Sequence, residues 1–389
     1  MIEMILNLKS FLFLMLLFFC AEARSEIVGP PIVDNNYNLD VRQGPIIGSA
    51  RQVALGGAYI GVAEGVTSLN SNPAGVAFRL ERSTTKFDWD WTVGLNNLKS
   101  NDFDNNGVSP PDYKSHQIRS LGLMGQYGPW GIGALINDEI LALDGASGNQ
   151  DEYILRVNYL ALGRQFLDRE LTVGAGIRAT VTKLRDQPFD ATLGKISGTG
   201  WDVGCVWNPE RGPFRFGAAY SSSISSDQSL NNTSGIPVTV NGLIVPQQVI
   251  LPASLGVGVS YAVDSAPFWS DHKWLVASDL LFTEASENAV GVESVLAQKI
   301  QYVGTHDTTS VRLGSELETM PGRLRLRLGS YYEPSNYEGV QSRTHLTGGF
   351  EVRMFHTSYW GEYDWGLTYT VDSARDYLNM FVALGFWYF

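Results

Sequence analysis

The chain has 389 residues and a formal net charge of −12; 17% of its residues are charged, 12% are aromatic and 41 are glycine. The negative charge argues against nucleic acid as a partner. Beyond the N-terminal region no apolar run approaches the ~20 residues that a transmembrane helix needs, so the sequence predicts no membrane-spanning helix.

Residues 1–23 are predicted to be a secretory signal peptide. Lys9 precedes an apolar run from Phe11 to Phe19, and Ala21-Glu22-Ala23 supplies the small residues of a cleavage site. A mature chain that begins at Arg24 keeps Cys205 as its single cysteine, so no intramolecular disulfide can form. Cys205 lies in an apolar predicted strand, and we expect it to be inert.

The stretch from Ile46 to Ala77 differs from the rest of the chain because it is rich in Gly and Ala and lacks β-branched alternation. We predict a short helix from Ser49 to about Leu55, a break at Gly56-Gly57, and a sharp turn at Asn72-Pro73-Ala74-Gly75. Small residues allow such a segment to pack tightly inside a larger container.

After Gly75 the sequence alternates between apolar and polar residues almost to its end. From Leu171 to Thr182 every odd position is apolar and every even position is Thr, Gly or Arg, which is typical of a strand with one apolar face. The alternation predicts fourteen strands, at about 84–95, 116–127, 130–142, 152–166, 170–183, 197–207, 213–225, 249–263, 273–284, 308–320, 323–333, 343–355, 360–372 and 378–389.

The connections between these strands are short and long by turns, which is the layout of an outer-membrane β-barrel. A soluble β-sandwich or propeller is the alternative. Aromatic residues such as Trp89, Trp130 and Trp207 near strand ends favour the barrel, because aromatic girdles mark membrane interfaces. The terminal strand closing on Phe389 resembles the signal that the barrel assembly machinery reads. We therefore expect an all-β, fourteen-stranded antiparallel transmembrane barrel in the outer membrane of a Gram-negative-type bacterium.

The motifs ALGGAY (Ala54 to Tyr59) and NPAG (Asn72 to Gly75) resemble the N-terminal signature of the FadL-type outer-membrane transporters and their PorV-like relatives. Leu251-Pro252 and Asp279 agree with that pattern. The resemblance implies a small helical hatch inside the barrel, with residues 24-82 as N-terminal extension and hatch and residues 83-389 as barrel. It also implies carriage of long-chain fatty acids or other hydrophobic compounds, in some members with sideways release through a gap in the wall.

The same resemblance assigns the hatch, or gate, to Asn72, Pro73 and Ala74, with Gly56 and Gly57 giving it close packing. For a substrate carboxylate, sheltered arginines are suitable partners. Strand alternation gives Arg156, Arg178, Arg312, Arg325 and Arg327 as lumen-facing candidates. The alternative is that Arg325 and Arg327 pair with Glu316 and Glu318 and simply fill the lumen.

Two loops carry further hypotheses. The apolar residues of 235–246 predict either a groove that captures substrate or a β-hairpin that packs on a neighbouring loop. Asp102-x-Asp104-x-Asn106-Gly107 copies half of a calcium loop, but Tyr113 stands where the closing Glu belongs, so we expect no metal site.

The sequence is compared with four classes of function: enzyme, secretion accessory, general porin and transporter. The five histidines are scattered and no hydrolase motif is present, so we expect no catalytic residue, no cofactor and no enzyme activity. A PorV-like secretion accessory that handles protein is the main alternative to a transporter, whereas a general porin conflicts with a hatch. The expected partners are a hydrophobic small molecule, outer-membrane lipid and, during biogenesis, the barrel assembly machinery.

Overall fold

The computed structural model describes residues 27–42, 44–79, 85–98, 102–108, 113–144, 150–187, 191–227, 237–240, 242–267, 272–358 and 362–387. The expected signal peptide and the terminal Phe389 lie outside these residues. The strands in chain order are β1 Asn38–Asp40, β2 Phe87–Leu98, β3 Tyr113–Tyr127, β4 Trp130–Asp144, β5 Gln150–Phe166, β6 Leu171–Gln187, β7 Ala191–Trp207, β8 Phe214–Ser221, β9 Ile224–Asp227, β10 Thr239–Val240, β11 Leu243–Ile244, β12 Gln248–Leu251, β13 Ser254–Val263, β14 Trp274–Thr283, β15 Ala289–Val290, β16 Tyr302–Val303, β17 Thr308–Met320, β18 Leu324–Glu333, β19 Arg343–Thr357, β20 Tyr363–Ala374 and β21 Tyr377–Phe386.

Fourteen of these strands close into one antiparallel barrel, in the order β13-β14-β17-β18-β19-β20-β21-β2-β3-β4-β5-β6-β7-β8. The last strand pairs with the first barrel strand from Thr92↔Gly385 to Leu98↔Asn379, so the sheet closes through the C-terminal strand. The predicted fourteen-stranded barrel is therefore confirmed. Closure satisfies backbone groups that lipid could not hydrogen-bond.

Two of the predicted strands are each divided in the structure. The predicted strand 213–225 becomes β8 and β9, which are separated at Ser222 and Ser223, and the predicted strand 249–263 becomes β12 and β13, which are separated at Pro252 and Ala253. In both cases one part stays in the wall and the other turns into a second sheet. Pro252 favours the second break, because proline cannot donate to a ladder.

The outer surface of the barrel carries a continuous apolar belt. Its members are at least 39% exposed and alternate with buried neighbours along their strands; they include Val93, Leu121, Leu123, Ile132, Leu160, Leu162, Ile177, Trp201, Val203, Leu255, Val257, Leu280, Val311, Leu313, Leu326, Leu328, Leu346, Phe350 and Val382. A belt of exposed apolar side chains of this kind matches a hydrocarbon core about 25 Å tall. None of the helices in the described ranges is long and apolar enough to cross a membrane.

The two ends of the barrel differ. One end, here the short-turn end, has tight connections such as Gly128-Pro129; the other, the long-loop end, carries a second sheet in the order β16-β15-β1-β12-β9. The N-terminal extension supplies β1, which runs parallel to both β12 and β15. The long 285–307 connection also folds, with a helix α2 (Val292–Ala297).

The loop from Asp102 to Gly107, which copies half of a calcium loop, packs into the long-loop end. Asp102, Asp104, Asn105 and Asn106 are at most 5% exposed. Asp102 accepts hydrogen bonds from the backbone N–H groups of Asn106 and Gly107, and Asp104 accepts one from the Tyr337 hydroxyl at 2.5 Å. The carboxylates are thus used by donors of the protein itself, and the loop is buried rather than part of the surface.

Candidate functional site

Residues 46–79, here called the inner segment, run through the barrel from the long-loop end to the short-turn end. Helix α1 (Ala50–Ala54) begins at Ser49, whose Oγ accepts the Gln52 N–H at 3.1 Å. Threonines from the wall donate to its carbonyl groups: Thr370 to Ala50 at 2.8 Å and Thr347 to Ala54 at 3.1 Å. The helix is therefore attached to β19 and β20 along its length.

Gly56 and Gly57 bring the segment into direct contact with the wall. Both have positive φ, at 59° and 72°, a region that only glycine enters without strain. A Cβ on Gly56 would lie 2.5 Å from the Leu313 carbonyl oxygen and 2.7 Å from the Ser330 nitrogen, and wall residue Gly329 faces the Gly56 nitrogen in the same way. The close packing expected of this pair is present, while its part in gating stays a prediction.

A single carboxylate holds the next turn of the segment. Asp279 of β14 accepts the backbone N–H groups of Tyr59 and Ile60 through one oxygen, at 2.6 and 2.7 Å. Asp279 is 1% exposed. A buried carboxylate that receives two backbone donors fixes the orientation of the chain, because releasing it would leave a charge unsatisfied.

Asn72 connects three parts of the molecule. Its amide nitrogen donates to the carbonyl groups of Ile60 and Cys205, each at 3.0 Å, and its oxygen accepts the Ala74 N–H at 3.0 Å. It thereby caps the short 3₁₀ helix Pro73–Val76 and ties the segment to β7. The close approach requires glycines in the wall, since a Cβ on Gly204 would lie 2.2 Å from the Asn72 oxygen and one on Gly174 2.4 Å from the Pro73 oxygen.

A chain of buried charges crosses the lumen beside the segment. Arg215 contacts Glu64 at 2.5 Å, Glu64 contacts Arg51 at 2.7 Å, and Arg51 contacts Glu316 at 2.9 Å. The chain continues from Glu316 to Arg327 and from Arg327 to Glu351. Removing one partner from such a network costs about 3–5 kcal/mol, since an uncompensated charge remains buried.

Two of the arginines that the sequence predicted to face the lumen belong to this network or lie beside it. Arg327 pairs with Glu316 as the lumen-filling alternative expected, and also with Glu351. Arg325 lies 3.6 Å from Glu351 and stacks over the Trp387 ring at 3.7 Å, while Glu318 accepts the Gly322 N–H. Both arginines are fully buried, so they act here as part of the lumen filling.

The lumen-facing prediction for Arg156 is wrong. Its side chain is 43% exposed and its guanidinium binds Asp138 through two hydrogen bonds, at 2.6 and 2.7 Å, on the outer face of the wall that Leu160 and Leu162 share. Both faces of β5 carry apolar residues at this height, so alternation alone could not decide which face is outside.

The other two predicted arginines line one cavity. It has a volume of about 210 Å³ and lies between the inner segment and the sheet at the long-loop end. Apolar side chains form much of its wall, namely Val41, Pro45, Ile47, Leu155, Val157, Leu251 and Leu281, and its polar groups include Asn137, Tyr159, Arg178 and Arg312. An apolar cavity with a few placed polar groups is the usual form of a small-molecule site.

The two cavity arginines differ in what they bind. Arg178 contacts Asp202 at 2.8 Å and donates to the Ser222 carbonyl at 2.7 Å. Arg312 makes only a long 3.5 Å contact with the Gly57 carbonyl, and its Nε is buried with no hydrogen-bond partner. Arg312 therefore has donor capacity left for a ligand, as has Arg42, which also lines the cavity and whose Nε is likewise buried without a hydrogen-bond partner.

A second cavity, of about 730 Å³, lies at the short-turn end. Its lining is mixed and strongly charged: Arg79, Arg169, Arg211, Arg215 and Lys273 lie beside the carboxylates of Glu64, Glu210 and Asp264. The inner segment and the charge network separate it from the first cavity. A molecule that enters at the long loops can reach the short-turn end only if the segment rearranges, and can reach the bilayer only if the wall opens.

The shortest ladder among the described wall strands joins β7 and β8, with six residue pairs; the closing β2–β21 ladder has seven. The β4 ladders run without a break from Trp130↔Arg164 to Asp144↔Gln150 on one side and along nearly all of β3 on the other. The β7–β8 ladder extends only from Asp202↔Ser221 to Trp207↔Phe216, whereas the β6–β7 ladder continues to Asp186↔Ala191. Beyond Ser221 the chain turns inward, where Ile224 covers Gly198 and Gly200.

The 235–246 loop follows the hairpin prediction for its described part. β10 and β11 pair antiparallel, Tyr37 donates to the Ile244 carbonyl at 2.5 Å, and Asn35 donates to the carbonyl groups of Val238 and Val245. Ile244 packs on Ile32, Tyr37 and Val290. Residues 235, 236 and 241 lie outside the described residues.

Sequence reasoning named Glu316 as a partner of the β18 arginines but missed Arg51 and Glu64, which join it in the network. Arg51 and Glu64 stand on the inner segment and Glu316 on β17, so nothing local connects them. The cavity likewise combines Ile47, Val157 and Leu281 from distant strands. The one local signal was charge within a small-residue stretch, since Arg51 and Glu64 are the charged residues between Ile46 and Ala77.

The closed barrel, its exposed apolar belt and its inward-packed N-terminal segment define the molecule as a transmembrane β-barrel of the kind found in bacterial outer membranes. No protein-family model and no curated protein sequence matches the chain. Its fold, however, is that of solved FadL-type barrels.

The CymD monoaromatic hydrocarbon channel aligns with a TM-score of 0.56 at 14% identity, covering 88% of this chain and 97% of that one. The Pseudomonas aeruginosa FadL homologue aligns with a TM-score of 0.54 at 13% identity, over 93% and 99%. The Ralstonia pickettii toluene transporter TbuX gives 0.52 at 15%, over 89% and 99%. At these identities the likeness is one of fold.

Proposed function

We propose that this barrel carries small hydrophobic compounds across the outer membrane. The observation that supports this most is the 210 Å³ cavity, which is lined largely by apolar side chains directly above the inner segment. An apolar cavity of about 150 Å³ accepts benzene. The available volume therefore suits a compact hydrocarbon better than the long-chain fatty acid that the sequence resemblance implied.

The route in this proposal starts at the long loops, passes through the cavity and is gated by the inner segment. Asn72, Pro73, Ala74, Gly56 and Gly57 are the proposed gate residues, because their hydrogen bonds and close backbone contacts hold the segment against the wall. Arg312 is the proposed group for a polar substituent on the substrate. Arg178 has a supporting role, since its partners keep it at the bend after β8.

Equilibrium binding to the purified barrel tests the cavity. Leu281 lines it, whereas its neighbour Leu280 faces lipid and is 39% exposed. We expect toluene to bind the wild-type barrel and the Leu280→Trp control equally, and binding to fall by tenfold or more in Leu281→Trp because the indole fills the cavity. Equal binding by all three proteins would refute the cavity as the site.

A protein-handling role is the second candidate. The buried charges from Arg215 to Glu351 fill the middle of the lumen, and a filled lumen is the feature expected of a barrel that works through its surface. Crosslinking in the native membrane separates the two roles. A stoichiometric protein adduct at the long loops together with no hydrocarbon binding would favour the second candidate.

A further inference from the structure

The outer face of the barrel carries a cluster of charged side chains that the transport proposal does not use. Strand alternation places it on five neighbouring strands, outside the lumen. We call it the outer patch and define it by Arg119 on β3, Asp138 on β4, Arg156 on β5, Lys183 on β6 and Lys195 on β7. Arg119, Asp138, Arg156 and Lys183 line a surface cleft of about 190 Å³, together with Glu152.

The outer patch lies at the edge of the apolar belt that faces the long loops. On β3 the next outward residues toward the short turns are Leu121 and Leu123, each 57% exposed. On β6 and β7 the corresponding belt residues are Ile177 and Trp201, which lie opposite each other. The patch is therefore at the height where lipid chains end and polar headgroups begin.

Six other barrel strands lack such charges near their long-loop ends. Their outward positions toward the long loops carry uncharged residues: Asn97 on β2, Thr309 on β17, Tyr332 on β18, Thr344 on β19, Ser373 on β20 and Met380 on β21. Among the strands compared, the outward cations are concentrated on β3 to β7, which indicates a specific contact rather than a general preference for basic residues at the interface. The contrast is sharper because the whole chain has a net charge of −12.

The outer patch has an excess of positive charge that an anion from outside the protein could balance. Asp138 lies opposite both Arg119 and Arg156 in the ladders, so one carboxylate faces two guanidinium groups. Lys183 and Lys195 lie directly opposite each other, and like charges in that position repel. With Glu152 counted, four cations face two carboxylates, and an anionic group between the strands would relieve the excess.

We propose that the outer patch binds the phosphate groups of a phosphorylated lipid headgroup in the outer leaflet. Arginine forks and lysine ammonium groups are suited to phosphate oxygens, and the patch lies where such a headgroup is held by its own acyl chains against Leu121, Leu123 and Ile177. The site lies on the outside of the wall and does not depend on what passes through the lumen.

Thermal unfolding of the detergent-solubilised barrel tests this inference, with diphosphoryl lipid A, dephosphorylated lipid A and inorganic phosphate as probes. We expect diphosphoryl lipid A to raise the Tm of the wild type and of an Arg164→Gln control. Arg164 also faces outward but stacks on Trp130 and Phe166 at the short-turn end. The Arg119→Gln/Lys183→Gln variant should lose most of the shift and keep its heat-modifiable barrel mobility.

The other outcomes overturn the proposal. An equal shift with dephosphorylated lipid A would mean that acyl chains alone are recognised. An equal shift with inorganic phosphate at the same concentration would mean that the site takes a free ion rather than a headgroup. An unchanged shift in the double variant would place lipid binding elsewhere on the barrel. As a second readout, mass spectrometry measures the phosphorylated lipid that stays bound to each protein through purification.

Discussion

Asn72 shows how much of the interior depends on one side chain. All three of its amide hydrogen bonds connect groups that are distant along the chain or that end a helical turn, and the residue is fully buried. A buried amide of this kind cannot be shortened without leaving carbonyl groups unpaired. The sequence resemblance pointed to this residue, and the hydrogen bonds give a physical reason for its importance.

Replacing Asn72 by Ala is expected to loosen the inner segment. Unpaired buried polar groups cost about 1–3 kcal/mol each, so the Tm should fall by several degrees while the barrel stays closed. Admission of a polar antibiotic into cells should rise as the segment leaves the wall. Ser71→Ala is the control because Ser71 is less buried and bonds locally; unchanged permeability in Asn72→Ala would contradict a gate at this residue.

Asp104 gives a pH-dependent prediction at the long loops, outside the membrane-spanning strands. Burial, with Asp102 nearby, raises its pKa to about 7. Because the folded pKa is above the unfolded value of about 3.9, the protonated form favours folding, and this stabilisation is lost as pH rises through 7. Hydrogen exchange in 102–108 should therefore accelerate between pH 6 and 8.

The Asp104→Asn variant is the control for that prediction. Its amide can still accept from the Tyr337 hydroxyl but does not titrate in this range. Exchange corrected for its intrinsic pH dependence should then be nearly flat between pH 6 and 8. The same corrected acceleration in variant and wild type would assign the effect to another group.

At the scale of elements, the barrel strands could be predicted from the sequence because strand alternation and turn residues are local signals. Leu171–Gln187 and Thr308–Met320, for example, start within a residue of their predicted positions. The inward turn after Ser221 was not predictable, because it depends on glycines in another strand. Gly198 and Gly200 leave the room that Ile224 fills.

The candidate site was predictable in part for the same reason. Gly56, Gly57 and Asn72 belong to a local motif, whereas the 210 Å³ cavity is formed by residues that meet only through barrel closure. Arg178 and Arg312 were correctly expected to face inward, and both line the cavity. Arg156 was misplaced, because charged residues also occur on the outer face where strands extend past the apolar belt.

The short β7–β8 ladder leads to a prediction about the exit route. A Cβ on Gly200 would lie 2.9 Å from the Ser222 Oγ, which suits a disulfide between Gly200→Cys and Ser222→Cys in a Cys205→Ala background. We expect oxidation to stop hydrocarbon uptake and reduction to restore it, because the bend can no longer move away from β7.

The matched control joins two strands that are already fully paired. Ala134 and Leu160 lie opposite each other on β4 and β5, so Ala134→Cys/Leu160→Cys forms a bridge without restricting the bend. Its uptake should not depend on oxidation. If the oxidised Gly200→Cys/Ser222→Cys variant also takes up hydrocarbon normally, the route passes the inner segment toward the short-turn end instead.

At the scale of the whole molecule, the chain combines a rigid wall with a plugged interior. Fourteen strands close the wall, the inner segment divides the lumen into a small apolar cavity and a larger, strongly charged one, and a network of buried charges holds the segment in place. We expect such a plug to hinder free diffusion of ions and water-soluble molecules. It is compatible with passage of a compact hydrophobic molecule that occupies the upper cavity and shifts the segment.

Transport through the apolar cavity is tested most directly by uptake of labelled toluene into cells without their own hydrocarbon transporter. Wild type, Leu281→Trp and Leu280→Trp are compared at equal amounts of folded, surface-exposed barrel. We expect uptake well above the empty-vector level for the wild type and Leu280→Trp, and a several-fold loss for Leu281→Trp. Labelled oleate should be carried less well than toluene. Wild-type uptake equal to the empty vector, or full uptake by Leu281→Trp, would contradict transport through this cavity.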